Sequence, residues 1–197
     1  MSASLSSEQN NRQIEQPVVY QMIVTLSGVK PPIWRRFQVR SDMTFYELHL
    51  ALQAVMGWKN HHLYQFDVAA VELSDPVTAA EFGAENAEQI QLDRFLSREA
   101  VSFLYEYDFC DNWRHEVVVE KLLPLASNGQ YPLCLAGEGA CPPENSGGVE
   151  SYTTLLQAIA DPAHPERAEL LATISGRFDP EAFDAGEANL SLQALIG

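Results

Sequence analysis

The sequence predicts an α+β fold with a mainly antiparallel sheet, and two local patterns support this prediction. Apolar and polar residues alternate from Val18 to Leu26 and again from Ile33 to Arg40, as in a β-hairpin. A capping box at Thr44–Glu47 then begins a helix whose apolar residues follow helical spacing. The order of hairpin, helix and strand predicts a β-grasp-like opening, and three C-terminal helices complete the fold.

The first hairpin and helix are predicted in the most detail. The break at residues 27–32 contains Gly28, which permits unusual dihedral angles, and two prolines, which cannot continue a ladder. Gly57 is predicted to end the helix in the left-handed region. Alternation in the second strand separates two faces: Ile33, Arg35, Phe37 and Val39 on one, and Trp34, Arg36, Gln38 and Arg40 on the other.

The remaining elements are predicted from the same two periodicities and from turn residues. In chain order we expect a strand at 64–73, a loop at 74–87 with a helical turn at 79–82, a brief strand at 89–93, strands at 101–109 and 114–122 joined by a turn at 110–113, an irregular segment at 123–148, and helices at 151–160, 165–174 and 187–196.

The domain organisation is predicted to be simple. Residues 1–16 are polar and contain few large apolar side chains, so we expect a disordered tail. Residues 17–197 contain no linker-like segment and are predicted to form a single domain. The N-terminus lacks the apolar core of a secretory signal, no apolar run could span a membrane, and the chain has three cysteines. These features predict a cytoplasmic protein.

The charge of the chain limits its partners. Its formal net charge is −15 and its pI is about 4.6, so it should repel phosphate backbones, and we expect no broad nucleic-acid binding. The segment 16–41 is an exception because it contains four basic residues and no acid. It could bind an anion or an acidic partner, or it could simply be a solvated strand face.

A polar cluster at the predicted turn 110–113 is the first candidate site. Asp108, Asp111, Arg114 and His115 lie within eight residues of one another. Carboxylates beside a histidine could perform general acid–base chemistry if burial shifted their pKa values towards neutrality. Alternatively, the aspartates accept turn amides and Arg114 pairs with a carboxylate.

Two further sets of residues are candidates for binding. Trp34 and Arg36 share a strand face and could stack on a planar or anionic ligand, although Arg36 could instead pair with an acid across the sheet. Cys134, Cys141 and His115 could bind a divalent metal, although the cysteine spacing is not the short pair typical of zinc sites. Alternatively, the two cysteines are buried apolar residues, or they form a disulfide.

Several motifs in order resemble the plasmid pRiA4b ORF-3-like family. They are Tyr20, 28–36, Leu48, 56–58, 62–66, 107–115, 134–137, 140–144, 147–148, 161–165 and 178–183. The resemblance implies a single α+β domain of uncharacterised biochemical function from about Val18 to the C-terminus. The chain departs from the family at Cys110, where relatives usually have Gly, and at Ser146, where many have Cys.

The functional prediction is a non-enzymatic module that binds a peptide or protein partner. Phosphate-loop, dinucleotide-binding, zinc-protease and serine-hydrolase motifs are absent from the sequence, and the sequence identifies no cofactor. One alternative is a metal-binding or hydrolytic enzyme that uses residues 106–115 and the Cys134–Glu144 loop. Another is a mobile-element accessory protein acting near DNA, which is implied by the resolvase-like label of some relatives. The chain has neither a serine or tyrosine nucleophile among clustered arginines nor a separate DNA-binding domain.

Overall fold

The computed structural model describes residues 16–174 and 178–195. Its centre is an eight-stranded sheet with the strand order β5-β4-β3-β6-β7-β1-β2-β8, in which every pair except β4–β5 is antiparallel. The α+β class with a mainly antiparallel sheet is therefore confirmed. The predicted tail at 1–16 lies outside the described residues, apart from Gln16.

The elements follow one another closely along the chain. They are β1 (Val18–Leu26), β2 (Trp34–Arg40), α1 (Phe45–Met56), β3 (Tyr64–Val68), β4 (Val71–Ser74), α2 (Pro76–Phe82), β5 (Glu85–Asn86), a short 3-10 helix (Leu92–Arg94), β6 (Ser102–Tyr107), β7 (Trp113–Pro124), β8 (Leu133–Glu138), α3 (Gly148–Ala160), α4 (Arg167–Thr173) and α5 (Ala185–Gln193).

The predicted opening of hairpin, helix and strand is present. Strands β1 and β2 form the hairpin, and the capping box joins the Thr44 hydroxyl and the Glu47 carboxylate to each other's backbone N–H groups. Gly57 ends α1 in the left-handed region, with φ of 92°. The following strand, β3, does not pair with the hairpin, because β6 and β7 lie between β3 and β1.

The prediction of one strand at 64–73 is wrong, because this segment folds back as the hairpin β3–β4. Val68 pairs with Val71, and the two residues between them, Ala69 and Ala70, have φ of 52° and 63°. Tight turns with positive φ usually contain Gly, Asn or Asp, and two alanines give no such signal. Because the apolar character continues through the turn, the sequence pattern resembles one longer strand.

The prediction of an irregular segment at 123–148 is also wrong, since strand β8 lies within it. Strand β8 pairs with β2 at the edge of the sheet, with a bulge between Arg36 and Phe37. Its short sequence contains Ala136 and Gly137, which are poor strand formers. Pairing with β2 therefore defines this strand more than its own propensity does.

The three predicted C-terminal helices are present with shifted ends. Helix α3 begins at Gly148, three residues before the predicted start, and α4 begins at Arg167. Helix α5 begins at Ala185, where the Asp184 carboxylate accepts the N–H groups of Gly186 and Glu187. No helix in the described residues is long and apolar enough to cross a membrane.

One face of the sheet carries the core. Alternate residues of the central strands, such as Met22, Phe37 and Val117, are buried in a cluster that also contains the apolar face of α1. The opposite face, which we call the open face, carries half-buried or exposed side chains at Gln21, Ile23, Thr25, Trp34, Arg36, Gln38, Leu104, Glu106, Arg114, Glu116, Val118 and Glu120. An antiparallel sheet can have one packed face and one solvated face in this way.

Candidate functional site

The aspartates of the polar cluster hold two turns together. Asp108 is 3% exposed and has φ of 57°, and its Oδ1 accepts the N–H groups of Cys110 and Asp111 at 3.0 and 3.3 Å. The Oδ2 atom of Asp111 accepts the N–H of Gly147 at 2.9 Å. These bonds give both carboxylates a structural role, as in the second interpretation of this cluster.

Arg114 and His115 lie on opposite faces of the sheet, because they are consecutive residues of β7. On the open face, the exposed Arg114 Nε donates to Glu106 at 3.1 Å and to Asn112 at 2.9 Å. There it lines a depression of about 280 Å³. The structure therefore does not bring the four predicted residues together in one site.

His115 is fully buried. Its Nδ1 lies 3.2 Å from the Tyr105 carbonyl, and the ring of Trp58 meets it edge-on at 5.2 Å between centroids. Burial lowers the pKa of His115 to about 4, despite hydrogen bonds to backbone groups that favour the charged form. His115 is therefore a neutral core residue at neutral pH.

Trp34 and Arg36 meet on the open face, but the guanidinium of Arg36 is already paired with an acid. The guanidinium of Arg36 forms two hydrogen bonds with Glu120, at 2.7 and 2.8 Å, and its central carbon lies 5.3 Å from the Trp34 ring centroid. The Trp34 indole N–H donates to Glu138 at 3.1 Å. Hydrogen bonding to Arg36 lowers the pKa of Glu120. The pairing of Arg36 with an acid across the sheet accounts for this arrangement.

The cysteines do not assemble the predicted metal site. Within residues 16–174 and 178–195, no group of three His, Cys, Asp or Glu side chains could hold a metal ion. Cys134 and Cys141 are free thiols, and burial raises the pKa of both. His115 is enclosed beneath Trp58 and beside Tyr105. The prediction of a site from Cys134, Cys141 and His115 therefore does not match the described structure.

Glu144 connects three segments that the predicted cluster only partly included. It accepts the Lys59 N–H at 2.8 Å and the Tyr107 hydroxyl at 3.1 Å. The Nε2 of His62 lies 3.5 Å from Asp108 and 3.8 Å from Glu144. This network joins the loop after α1, the β6–β7 hairpin and residues 142–148.

A cleft of about 460 Å³ opens beside this network. We call it the α1–α5 cleft, since it lies between the end of α1, residues 140–144 and residues 178–191. Its lining is Arg35, Ala54, Val55, Met56, Gly57, Trp58, Lys59, Ala140, Cys141, Pro142, Pro143, Glu144, Phe178, Ala182, Phe183, Asp184, Glu187, Ala188 and Ser191. The Trp58 indole N–H donates to the Pro142 carbonyl at 3.0 Å and so holds two of its walls together.

Four of the eleven motif segments that resemble the family contribute residues to the lining of the α1–α5 cleft. Residues from the segments 28–36, 56–58, 140–144 and 178–183 all line it. A larger groove of about 660 Å³ surrounds Arg40, Tyr131 and Pro132, and a neighbouring groove of about 470 Å³ shares those three residues. Neither groove is lined by a residue of these motifs.

The most informative cleft residue that sequence analysis missed is Arg35. Alternation correctly placed it on the face of Phe37 and Val39, which is the buried face. A charged residue in an otherwise apolar row is a signal that could have identified it. The sequence of residues 178–191 contains no comparable signal of a cleft wall, because only tertiary packing brings this segment to the cleft.

Comparisons with known proteins agree with this fold and extend the resemblance. Residues 18–187 match the family described as plasmid pRiA4b ORF-3-like protein. The uncharacterised protein y4hQ of Sinorhizobium fredii (strain NBRC 101917 / NGR234) is 36% identical over 179 residues, which cover 90% of this chain and 92% of that protein.

A solved structure is also similar. The crystal structure of a protein of unknown function, MM3350 from Methanosarcina mazei Go1, is 35% identical and superimposes with a TM-score of 0.78. The match covers 87% of this chain and 97% of the other. Since the family match spans most of the sequence and the fold agrees, the chain belongs to the plasmid pRiA4b ORF-3-like protein family.

Proposed function

We propose that the protein is a non-enzymatic binding module that takes a short peptide segment of a partner protein into the α1–α5 cleft. The observation that carries the proposal is the convergence of four separate family motifs on this cleft. The two other grooves, around Arg40 and Tyr131, contain none of these motif residues.

The lining of the cleft favours a peptide with both apolar and basic side chains. Phe178 and Phe183 are half-buried and offer aromatic contact surface, and the buried Met56 and Trp58 also line the cleft. Aromatic side chains provide much of the binding energy in such sites. The acids at the cleft are Glu144, Asp184 and Glu187. Together with the net charge of −15, they favour a basic partner and oppose nucleic acid.

Binding fits the cleft better than catalysis because two of its three carboxylates are occupied and its thiol is unreactive. Glu144 accepts hydrogen bonds from the Lys59 backbone N–H and the Tyr107 hydroxyl, and the Asp184 carboxylate caps α5. Burial raises the pKa of Cys141, which keeps it a thiol rather than a nucleophilic thiolate. The three free thiols also suit a reducing compartment and support our proposal that the protein is cytoplasmic.

The test is selection of peptides on purified protein with a matched pair of variants. The probe is a random hexapeptide library with a fluorophore at the N-terminus and a free C-terminus. Ser191→Trp fills the cleft from an exposed position on α5, whereas Leu190→Trp places the same side chain at a neighbouring exposed position that does not line the cleft.

We expect the wild type and Leu190→Trp to enrich the same hexapeptides, rich in aromatic or aliphatic residues and in Lys or Arg. Binding to Ser191→Trp should be at least tenfold weaker. Enrichment that is equal on all three proteins, or absent from all three, would contradict the proposal.

A further inference from the structure

Arg35 is a buried cation without a carboxylate partner in the described part of the chain. The residue is 3% exposed. Its guanidinium donates to the carbonyls of Val55 (2.9 Å), Trp34 (2.8 Å), Glu138 (2.9 Å) and Gly139 (2.7 Å). Four of the five N–H groups of the guanidinium are thereby used, and the fifth has no acceptor among residues 16–174 and 178–195.

This lack of a counter-ion is unusual for the composition of the protein. The chain has 27 acidic and 12 basic side chains, so acids are plentiful. Four other arginines pair with acids: Arg36 with Glu120, Arg40 with Asp42, Arg94 with Glu85 and Arg114 with Glu106. These pairs lie nearer the surface, whereas Arg35 is enclosed, where an unbalanced charge is most costly.

Two of the three acids of the α1–α5 cleft are engaged elsewhere, and the third, Glu187, is exposed on α5. Glu144 accepts the Lys59 N–H and the Tyr107 hydroxyl, and the Asp184 carboxylate caps α5. Phe183 stacks over the guanidinium at 4.2 Å and covers one side of it. Burial also lowers the pKa of Arg35, in agreement with a charge that is poorly compensated within the chain.

We propose that Arg35 binds the C-terminal carboxylate of the peptide that occupies the α1–α5 cleft. This inference rests on the proposed function and specifies how the cleft recognises its ligand. A carboxylate would use the fifth N–H and supply the missing negative charge, and charge-assisted hydrogen bonds of this kind are strong. A cleft of about 460 Å³ is the size of a small-molecule site. It holds only a short segment, which suits a chain end better than a continuous chain.

The position of Arg35 sets the orientation of the peptide. The carboxylate would lie at the buried end of the cleft, and the preceding side chains would reach Trp58 and Phe178. Basic side chains further from the C-terminus would then meet Glu187 at the exposed end on α5. Other proteins capture a C-terminal carboxylate with backbone N–H groups, whereas here the donor would be the Arg35 side chain.

The test compares two forms of the same probe on the wild-type protein. The hexapeptides enriched from the library are synthesised with a free C-terminal carboxylate and with a C-terminal amide, which removes the charge alone. A third form adds a C-terminal glycine amide and places Glu at the former last position. We expect the amide to bind at least tenfold more weakly than the acid, and the Glu form to remain weak.

The outcomes separate this inference from the proposed function. If acid and amide bind the wild type within twofold of each other, and both lose affinity on Ser191→Trp, the peptide site stands and the role of Arg35 is overturned. If the Glu form binds as well as the acid, a side-chain carboxylate is recognised and the inference is likewise overturned. If no form distinguishes the wild type from Ser191→Trp, the proposed function fails as well.

A variant of Arg35 supplies a second readout. Arg35→Met should abolish the difference between acid and amide, provided that the variant remains folded by circular dichroism. Retention of a tenfold difference in folded Arg35→Met would assign the carboxylate to another residue, such as Lys59, and contradict the inference. If the variant unfolds, the relative affinities of the acid and amide peptides for the wild-type protein decide the role of Arg35.

Discussion

The carboxylate of Asp111 accepts a hydrogen bond from the backbone N–H of Gly147, at 2.9 Å from Oδ2 to the nitrogen. Through this bond the β6–β7 turn holds the segment that leads into α3. Glu144, three residues earlier, is held by Lys59 and Tyr107. The polar hairpin thus acts as a support for the wall of the α1–α5 cleft.

The close approach at this junction predicts a large cost for one glycine substitution. A Cβ atom at Gly148 would lie 2.6 Å from the Asp111 carbonyl oxygen, and φ at Gly148 is 76°. Gly83 has a similar φ of 81° and open space around it. Gly83→Ala should cost about 1 kcal/mol from backbone strain alone. Gly148→Ala should lower the free energy of unfolding by roughly 2–4 kcal/mol because steric overlap is added. Urea denaturation measures both, and equal costs would contradict the predicted overlap.

The two buried histidines predict a loss of stability in mild acid. Burial lowers the pKa values of His49 and His115 to about 4 in the folded protein. The unfolded chain, with an ordinary histidine pKa near 6.5, therefore binds protons first as the pH falls. The stability from these groups is complete above pH 6.5 and is lost progressively towards pH 4. Between pH 7.5 and 5.0 we expect a loss of roughly 2 kcal/mol for each histidine.

The variant His115→Leu isolates one of these two contributions. Its free energy of unfolding should fall by about half as much as that of the wild type over the same pH interval, whatever its value at pH 7.5. Urea denaturation at the two pH values gives the difference. An unchanged pH dependence in His115→Leu would show that His115 is not a buried neutral group.

The cysteines should differ sharply in reactivity. Cys110 is exposed, Cys134 is buried and Cys141 is half-buried, and burial raises the thiol pKa of both Cys134 and Cys141. A maleimide reagent should therefore label one thiol rapidly in the native protein and three after denaturation without reductant. The variant Cys110→Ser should remove the rapid phase. Fewer than three reactive thiols after denaturation would indicate a disulfide.

The ion pair on the open face should contribute little to stability. The side chains of Arg36 and Glu120 are 34% and 22% exposed, and ion pairs at such positions usually contribute less than about 1 kcal/mol. A double-mutant cycle with Arg36→Ala and Glu120→Ala should give a coupling energy below this value that decreases in 1 M NaCl. The same variants should leave hexapeptide binding unchanged, because neither residue lines the cleft. Loss of binding would move the site to the open face.

The sequence predicted those elements whose own residues carry a local signal. The capping box at Thr44 and the left-handed Gly57 identified α1, and strict alternation identified β1 and β2 with their correct faces. Strand β8 and the Ala69–Ala70 turn escaped prediction, because pairing with neighbouring strands defines them more than local propensity does.

The site was harder to predict than the fold. Residues 106–115 contain many polar groups, and this density suggested a site. Successive strand residues face opposite sides of a sheet, so these side chains do not meet in one place. The α1–α5 cleft combines residues from four distant segments. Alternation did assign Arg35 to the buried face, but only the structure shows that its charge lacks a partner in the described residues.

The three tryptophans of the chain provide the most direct test of the peptide site. Trp58 lines the α1–α5 cleft, Trp34 lies on the open face and Trp113 is buried in the core. Protein labelled with 5-fluorotryptophan should give three ¹⁹F NMR signals, which Trp34→Phe and Trp58→Phe variants assign. On titration with the enriched hexapeptides, we predict the largest shift at Trp58 and almost none at Trp34. Saturable binding that shifts Trp34, or that leaves Trp58 unchanged, would contradict a peptide site in the α1–α5 cleft.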